Sequence, residues 1–188
     1  MKVFLHVGAN KGQNIPNIKK VYGEDYNIYS FEPNPECIKI LKNTYGNDDK
    51  INIIEYAASD RDGIADFQLG TATMSSSLRK DKTSYMSNKS ILVNTLNLSR
   101  WIQENFTLED EIILYLDIEG GEYDVLEKLI SDNMLKRFSE VYVEFHETKL
   151  RDLDMKIHDK LYNILIDTYK DKAYIFDKHQ KDLYDRIG

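Results

Sequence analysis

Short apolar runs alternate along this chain with longer stretches in which apolar residues recur every three or four positions. Strands produce the first pattern and amphipathic helices the second. Val3-Phe4-Leu5-His6-Val7 reads as a strand that runs into a small-residue turn, Gly8-Ala9-Asn10-Lys11-Gly12. Residues 14–22 form a helical pattern, with Pro16 tolerated in the first turn and Gly23 as the stop. Residues 26–32 alternate and are rich in aromatics, which predicts a second strand. Pro33-Asn34-Pro35 breaks it, and Asn34 can cap a helix that starts at Pro35 and runs to Tyr45 before Gly46.

Residues 51–58 predict a third strand, and 64–69 a shorter one after the Asp62-Gly63 turn. Residues 70–90 are serine-rich, carry four basic side chains and show little apolar periodicity. An irregular loop of that length is either a lid over a substrate or a mobile surface insertion. Residues 91–95 predict a short strand, and 98–106 a helix with Trp101 on its inner face. Ile112-Ile113-Leu114-Tyr115-Leu116-Asp117 is a continuous apolar run ending in an acid, the signature of a central parallel strand buried on both faces. Gly120-Gly121 then opens a helix with Val125, Leu126, Leu129 and Ile130 at core spacing. A strand is expected over 141–145 and an amphipathic helix over 154–169 with Ile157, Leu161, Ile164 and Leu165 on one face. Strands over 173–176 and 183–187 are expected to close the chain as a hairpin at one sheet edge. Strands alternating with helices predict a single α/β domain over 1–188, a doubly wound, mostly parallel sheet with an antiparallel edge.

Composition narrows the functions available. The chain has 25 basic and 32 acidic residues and a net charge of -7, which argues against nucleic acid as the partner. One cysteine, Cys37, excludes an internal disulfide and fits a reducing compartment. No apolar run approaches the ~20 residues of a membrane span, and the segment before the turn is too short for a signal peptide. A cytoplasmic protein is the expectation.

The chemistry gathers at strand ends, where open α/β sheets bind ligands. The first strand ends in the glycine turn, whose backbone N–H groups and following helix N-terminus can face a cofactor. The second ends in Glu32, an acid placed to take two ribose hydroxyls. The third ends in Ala57-Ala58-Ser59-Asp60, small residues that leave room for a flat base. Then come Asp117-Ile118-Glu119 and Glu144-Phe145-His146-Glu147. The turn spacing is Gly-x-x-x-Gly, which is neither the dinucleotide fingerprint nor a phosphate-cradling loop. A nucleoside ligand without a long phosphate chain fits better, and S-adenosylmethionine is the candidate.

Four motifs in order carry a resemblance: Val7-Gly8-Ala9-Asn10-Lys11-Gly12, Phe31-Glu32-Pro33-Asn34-Pro35, Ala57-Ala58-Ser59-Asp60 with Gly63, and Leu116-Asp117-Ile118-Glu119-Gly120-Gly121-Glu122. Over residues 3–147 the chain resembles the FkbM family of S-adenosylmethionine-dependent methyltransferases. The resemblance implies a class I, Rossmann-like methyltransferase fold and O-methylation, often of a sugar or small-molecule hydroxyl. By position, it implies that His6, Val7, Gly8, Ala9, Asn10 and Gly12 surround the methionine part. Glu32 and Pro33 would meet the ribose, Ala58 and Ser59 the adenine, and Asp117 the methyl region. The family usually has an acid where this chain has His6. Relatives also carry elements before the first strand, so an excised domain, a further domain or a second copy covering the site is expected.

A hydroxyl is a weak nucleophile, so a base or a metal should assist. The expected candidates are Asp117, Glu144 and His146, with Glu144 and His146 alternating along one strand. Asp117 and Glu144 end neighbouring strands and could share Mg²⁺. Glu119 is read evenly between catalysis and a dipole role at a helix start, and Glu122 as a dipole acid. Two other readings stay open: a non-catalytic nucleoside-binding domain completing a larger assembly, and methylation of RNA or protein.

Overall fold

The structure is a computed structural model that describes residues 1–176. Its main sheet contains β1 (Lys2–Val7), β2 (Asn27–Phe31), β3 (Ile51–Ile54), β7 (Glu111–Leu116), β8 (Phe138–Glu144) and β9 (Ala173–Phe176). The spatial order is β3-β2-β1-β7-β8-β9, and every pairing is parallel. The expected doubly wound α/β fold is therefore present. The strand expected over 183–187, and with it the antiparallel edge, lies outside the described residues. Among the described residues no helix is long and apolar enough to cross a membrane.

Alternation along each strand sends side chains to opposite faces, and helices cover both. Val3, Leu5 and Val7 face α3 (Leu98–Asn105), α4 (Glu122–Ser131) and α5 (Met155–Tyr169), where Ile102, Leu126 and Leu161 complete one core. Phe4, Ile28 and Tyr115 face α1 (Ile15–Tyr22) and α2 (Pro35–Tyr45), packing on Ile15, Ile18 and Leu41. The Asn34 side chain accepts from the Glu36 amide at 3.0 Å, the expected cap of α2. That cap stabilises the helix by about 1 kcal/mol. Trp101 is only half-buried and sets its ring edge-on to Tyr29, Phe31 and Phe106.

A second sheet, ordered β4-β6-β5, is built from β4 (Ala57–Ser59), β5 (Gly63–Gly70) and β6 (Met86–Asn97). It corrects two expectations. Residues 51–58 are not one strand: β3 stops at Ile54, and Ala57–Ser59 leaves the main sheet to pair with Thr95–Asn97. The intervening Glu55 and Tyr56 are exposed, so nothing holds them in the main sheet. β6 is also far longer than residues 91–95. Its first half is polar, and antiparallel pairing with β5 holds it, Gln68 opposite Ser90 and Gly70 opposite Met86.

Residues 71–85 are an ordered strap, not a loose insertion. Ser77 Oγ donates to the Glu119 carbonyl at 2.7 Å, and the Thr83 amide donates to the Lys149 carbonyl at 2.8 Å. Ser77 pairs with Gln68, and Lys82 with Leu150. The strap thus ties the second sheet to the loops that follow β7 and β8.

Candidate active site

Strand order reverses between β1 and β7, and the loops beyond their carboxyl ends enclose a cavity of about 340 Å³. That volume suits one small organic ligand. The turn after β1 passes very close to the end of β7. A Cβ on Gly8 (φ +94°) would lie 1.7 Å from the Asp117 carbonyl oxygen, so only glycine fits there. The Gly8 and Ala9 amides both donate to the Phe31 carbonyl, at 3.1 and 3.0 Å. The Asn10 amide donates to Glu32 at 2.8 Å, and the Gly12 amide to the Ala9 carbonyl at 2.8 Å. These four amides are consumed internally, so the turn supplies shape rather than the free N–H donors expected of it.

Glu32 is buried, and its two carboxylate oxygens accept from the Asn10 and Asn34 amides, both at 2.8 Å. Burial pushes its carboxyl up to about 7, against the pull of those two amides. Beside it, Pro33, Tyr56, Ala57, Ala58 and Phe67 form an apolar slot, closed by Leu78 of the strap. His6 lies on the cavity wall with its ring edge against Tyr115. Its Nδ1 is buried without a hydrogen-bond partner among the described residues. Burial lowers this imidazole to about 4, so it is neutral at pH 7.

The opposite end of the cavity is acidic. Asp117, Glu119 and Glu144 line it, and His146 stands behind them. His146 Nε2 is 3.4 Å from Glu119, 3.6 Å from Glu144 and 3.7 Å from Asp117. Its Nδ1 is 3.1 Å from Glu122. Glu122 is fully buried, and its carboxylate also accepts from the Ile118 amide at 2.7 Å and the Gly120 amide at 2.9 Å. One side chain therefore shapes the turn, in which Glu119 and Gly120 have φ of +56° and +108°, and orients the imidazole. Burial opposes a charge on His146, but Glu122, Glu119 and Asp117 outweigh it and raise its pKa well above the ordinary value. Burial and the Glu144 charge raise the Asp117 carboxyl. Burial also raises Glu144, against the pull of His146 and Lys149. Burial works the same way on Glu119, yet His146 and Lys82 hold it at about 2. The Lys82 side chain is fully buried, 2.7 Å from Glu119, and Lys149 pairs with the same carboxylate at 3.1 Å.

Known proteins bear on this arrangement. A family model described as the methyltransferase FkbM domain matches residues 6–175. The chain belongs to the FkbM methyltransferase family. Among curated proteins, 2-O-methyltransferase NoeI of Sinorhizobium fredii (strain NBRC 101917 / NGR234) is 26% identical over 161 residues. The match covers 79% of this chain and 65% of that relative, so the chain spans about two thirds of its length. Among solved structures, methyltransferase FkbM from Methylobacillus flagellatus KT aligns with a TM-score of 0.45 and 14% identity. That alignment covers 70% of this chain and 30% of the other.

In this FkbM chain the residues singled out from sequence divide into two groups. His6, Gly8, Ala9, Asn10, Glu32, Pro33, Ala58, Asp117 and Glu144 share the cavity wall. Val7, Gly12, Ser59 and His146 are not on it. Val7 is packed in the core under α3 and α4. Gly12 (φ +79°) sits against Tyr45 and Leu41, where a Cβ would lie 2.6 and 2.7 Å from their side chains. Ser59 Oγ donates to Asp60 at 3.0 Å. His146 is screened by the carboxylates in front of it. Glu122 and Lys82 are the participants that sequence reasoning missed. Glu122 carried one legible signal: it sits two residues beyond Gly120 and four beyond Ile118, within reach of both amides. The metal pair expected, Asp117 with Glu144, shares the cavity wall, and Asp117 also belongs to a second possible set. Asp117, Glu122 and His146 each bring one ligand atom within 4.8 Å of the others.

Proposed function

We propose that the chain is an S-adenosylmethionine-dependent O-methyltransferase acting on a hydroxyl of a sugar or similar polyol. The observation that carries this reading is the make-up of the cavity between β1 and β7. A buried carboxylate beside an apolar slot stands at one end, and a carboxylate wall at the other. The family supports methyl transfer, and the name of the curated relative, a 2-O-methyltransferase, supports oxygen as the acceptor.

The residues fit that cofactor. Glu32 keeps lone pairs for two ribose hydroxyls while two amides fix its carboxylate in place. Ala57 and Ala58 give the flat base a wall without bulk, and Phe67 gives it an aromatic side. The unpartnered, neutral His6 Nδ1 accepts a hydrogen bond from the ammonium end, where an imidazolium would repel it. Gly8 lets the β1 turn and the Asp117 loop approach closely enough to grip the methionine part between them. Bound S-adenosylmethionine supplies a methyl group made electrophilic by its sulfonium. The chain's own task is to hold the acceptor oxygen in line, and orientation of this kind supplies ~7–11 kcal/mol of a barrier. Asp117 and Glu144 face the cavity and accept hydrogen bonds from the acceptor hydroxyl, drawing its proton away from the attacking oxygen. Glu119, locked by two lysines, holds the wall in place.

Methyl transfer from labelled S-adenosylmethionine to a panel of reducing sugars and glycosides tests the reading. Label should appear in an acceptor and vanish with Asp117→Asn. Transfer to RNA or a protein in place of every sugar would overturn the acceptor class.

A further inference from the structure

We propose that the acidic wall holds a divalent cation on His146 Nε2 and Asp117, and that this site favours a first-row transition cation such as Mn²⁺ over Mg²⁺. Its role toward the acceptor oxygen rests on the methyltransferase reading; its existence does not.

Four observations converge. First, the ring nitrogens of His146 have different surroundings. Nδ1 is taken by Glu122, whose own oxygens are pinned by the Ile118 and Gly120 amides. A carboxylate on one ring nitrogen with the other left free is the arrangement that orients metal-binding histidines. Second, Nε2 is buried and has no hydrogen-bond partner among the described residues, although three carboxylate oxygens surround it. They lie 3.4, 3.6 and 3.7 Å away, too long for sound hydrogen bonds. Ligands held at ~2.0–2.2 Å from one cation stand about 3.0–3.6 Å from one another, so Glu119 and Glu144 already stand at that spacing and Asp117, at 3.7 Å, needs only a slight inward shift to share an ion with Nε2.

Third, with every group ionised the cluster carries a negative excess. Asp117, Glu119, Glu122 and Glu144 bring four carboxylates, and Lys82 and Lys149 two ammonium groups. A divalent cation offsets the remaining two charges, whereas a proton on Nε2 offsets one. Fourth, Asp117 and Glu144 open onto the cavity, so an ion there is reachable by an acceptor oxygen. A mixed imidazole and carboxylate set suits a borderline cation, because Mg²⁺ prefers oxygen ligands alone.

The test uses the whole chain, stripped with EDTA and titrated with Mn²⁺ while electron paramagnetic resonance reads the free ion. One saturable site per chain is expected, with a rise in Tm and weaker competition by Mg²⁺. His146→Gln and Asp117→Asn should abolish saturable binding, and Glu122→Gln should weaken it about 10–100-fold. Glu32→Gln should leave it unchanged. No saturable binding by the wild-type chain, or equal binding by folded His146→Gln, overturns the proposal. If His146→Gln does not fold, the wild-type titration and Glu122→Gln still decide it. Calorimetry of the stripped chain with S-adenosylhomocysteine separates the two readings. Binding there without Mn²⁺ uptake removes the cation and leaves the methyltransferase. Mn²⁺ uptake without nucleoside binding does the reverse.

Discussion

At the β1–β2 end of the cavity one buried carboxylate, Glu32, faces an imidazole, His6, that burial keeps neutral. At the β7–β8 end four carboxylates crowd around an imidazole, His146, whose pKa they raise against its burial. Both histidines are buried and both keep a ring nitrogen without a hydrogen-bond partner among the described residues, yet their surroundings give them opposite tendencies. Burial alone decides the first; neighbouring charge overrides burial in the second. The first end is suited to a ligand that brings its own positive charge and hydroxyl donors. The second is built around a charge cluster that Glu122 and Lys82 hold together from behind.

The contrast can be broken most strongly at the acidic end. Glu122→Ala removes the acceptor for two backbone amides and the partner of His146, and should destabilise the chain by about 3–5 kcal/mol in urea denaturation. A cost below about 1 kcal/mol would mean the cluster does not depend on it. Gly8→Ala at the junction of the two ends should cost about 1–3 kcal/mol from backbone strain alone, with a further loss from the clash with Asp117. Nucleoside binding should disappear with it.

The first end is sharpened by pH. The Glu32 carboxyl is raised from 4.5 to about 7, so its stabilising contribution is complete below pH 4.5 and is lost as pH rises through 7. His6 is lowered from 6.5 to about 4, so its contribution is complete above pH 6.5 and is lost as pH falls towards 4. Glu32→Gln should therefore gain stability relative to the wild type between pH 5 and pH 8, by on the order of 3 kcal/mol across the full shift. A difference that is flat with pH would show that Glu32 titrates normally. The smallest effect belongs away from both ends. Asn34→Ala removes the α2 cap and should cost about 1 kcal/mol while the cavity's ligand preferences stay as they are.

Legibility in the sequence followed the strength of the local signal. The β7 run was plain because a strand buried on both faces has no reason to alternate. The Asn34-Pro35 cap was plain because those residues have few other uses in that order. β4 and the first half of β6 were hidden, since one is three small residues and the other is polar, and pairing across the chain holds both. Glu32 and Asp117 could be placed because each directly follows a strand of the main sheet, whereas Ala58 was read at the end of a strand that in fact stops at Ile54. Glu122 could not, because an acid in a first helical turn looks the same whether it meets solvent or, as here, two amides and a histidine. Lys82 was hidden for a similar reason: lysines are rarely buried, and nothing local marks one that is.

The central claim is that the cavity between β1 and β7 takes S-adenosylmethionine through Glu32. Isothermal titration calorimetry with S-adenosylhomocysteine tests it most directly. The account predicts one site per chain, tightening as pH rises through about 7, and weakened roughly 10–100-fold by Glu32→Gln, as loss of a hydrogen bond to a charged group implies. No heat of binding at millimolar ligand, or equal affinity in Glu32→Gln, would contradict it.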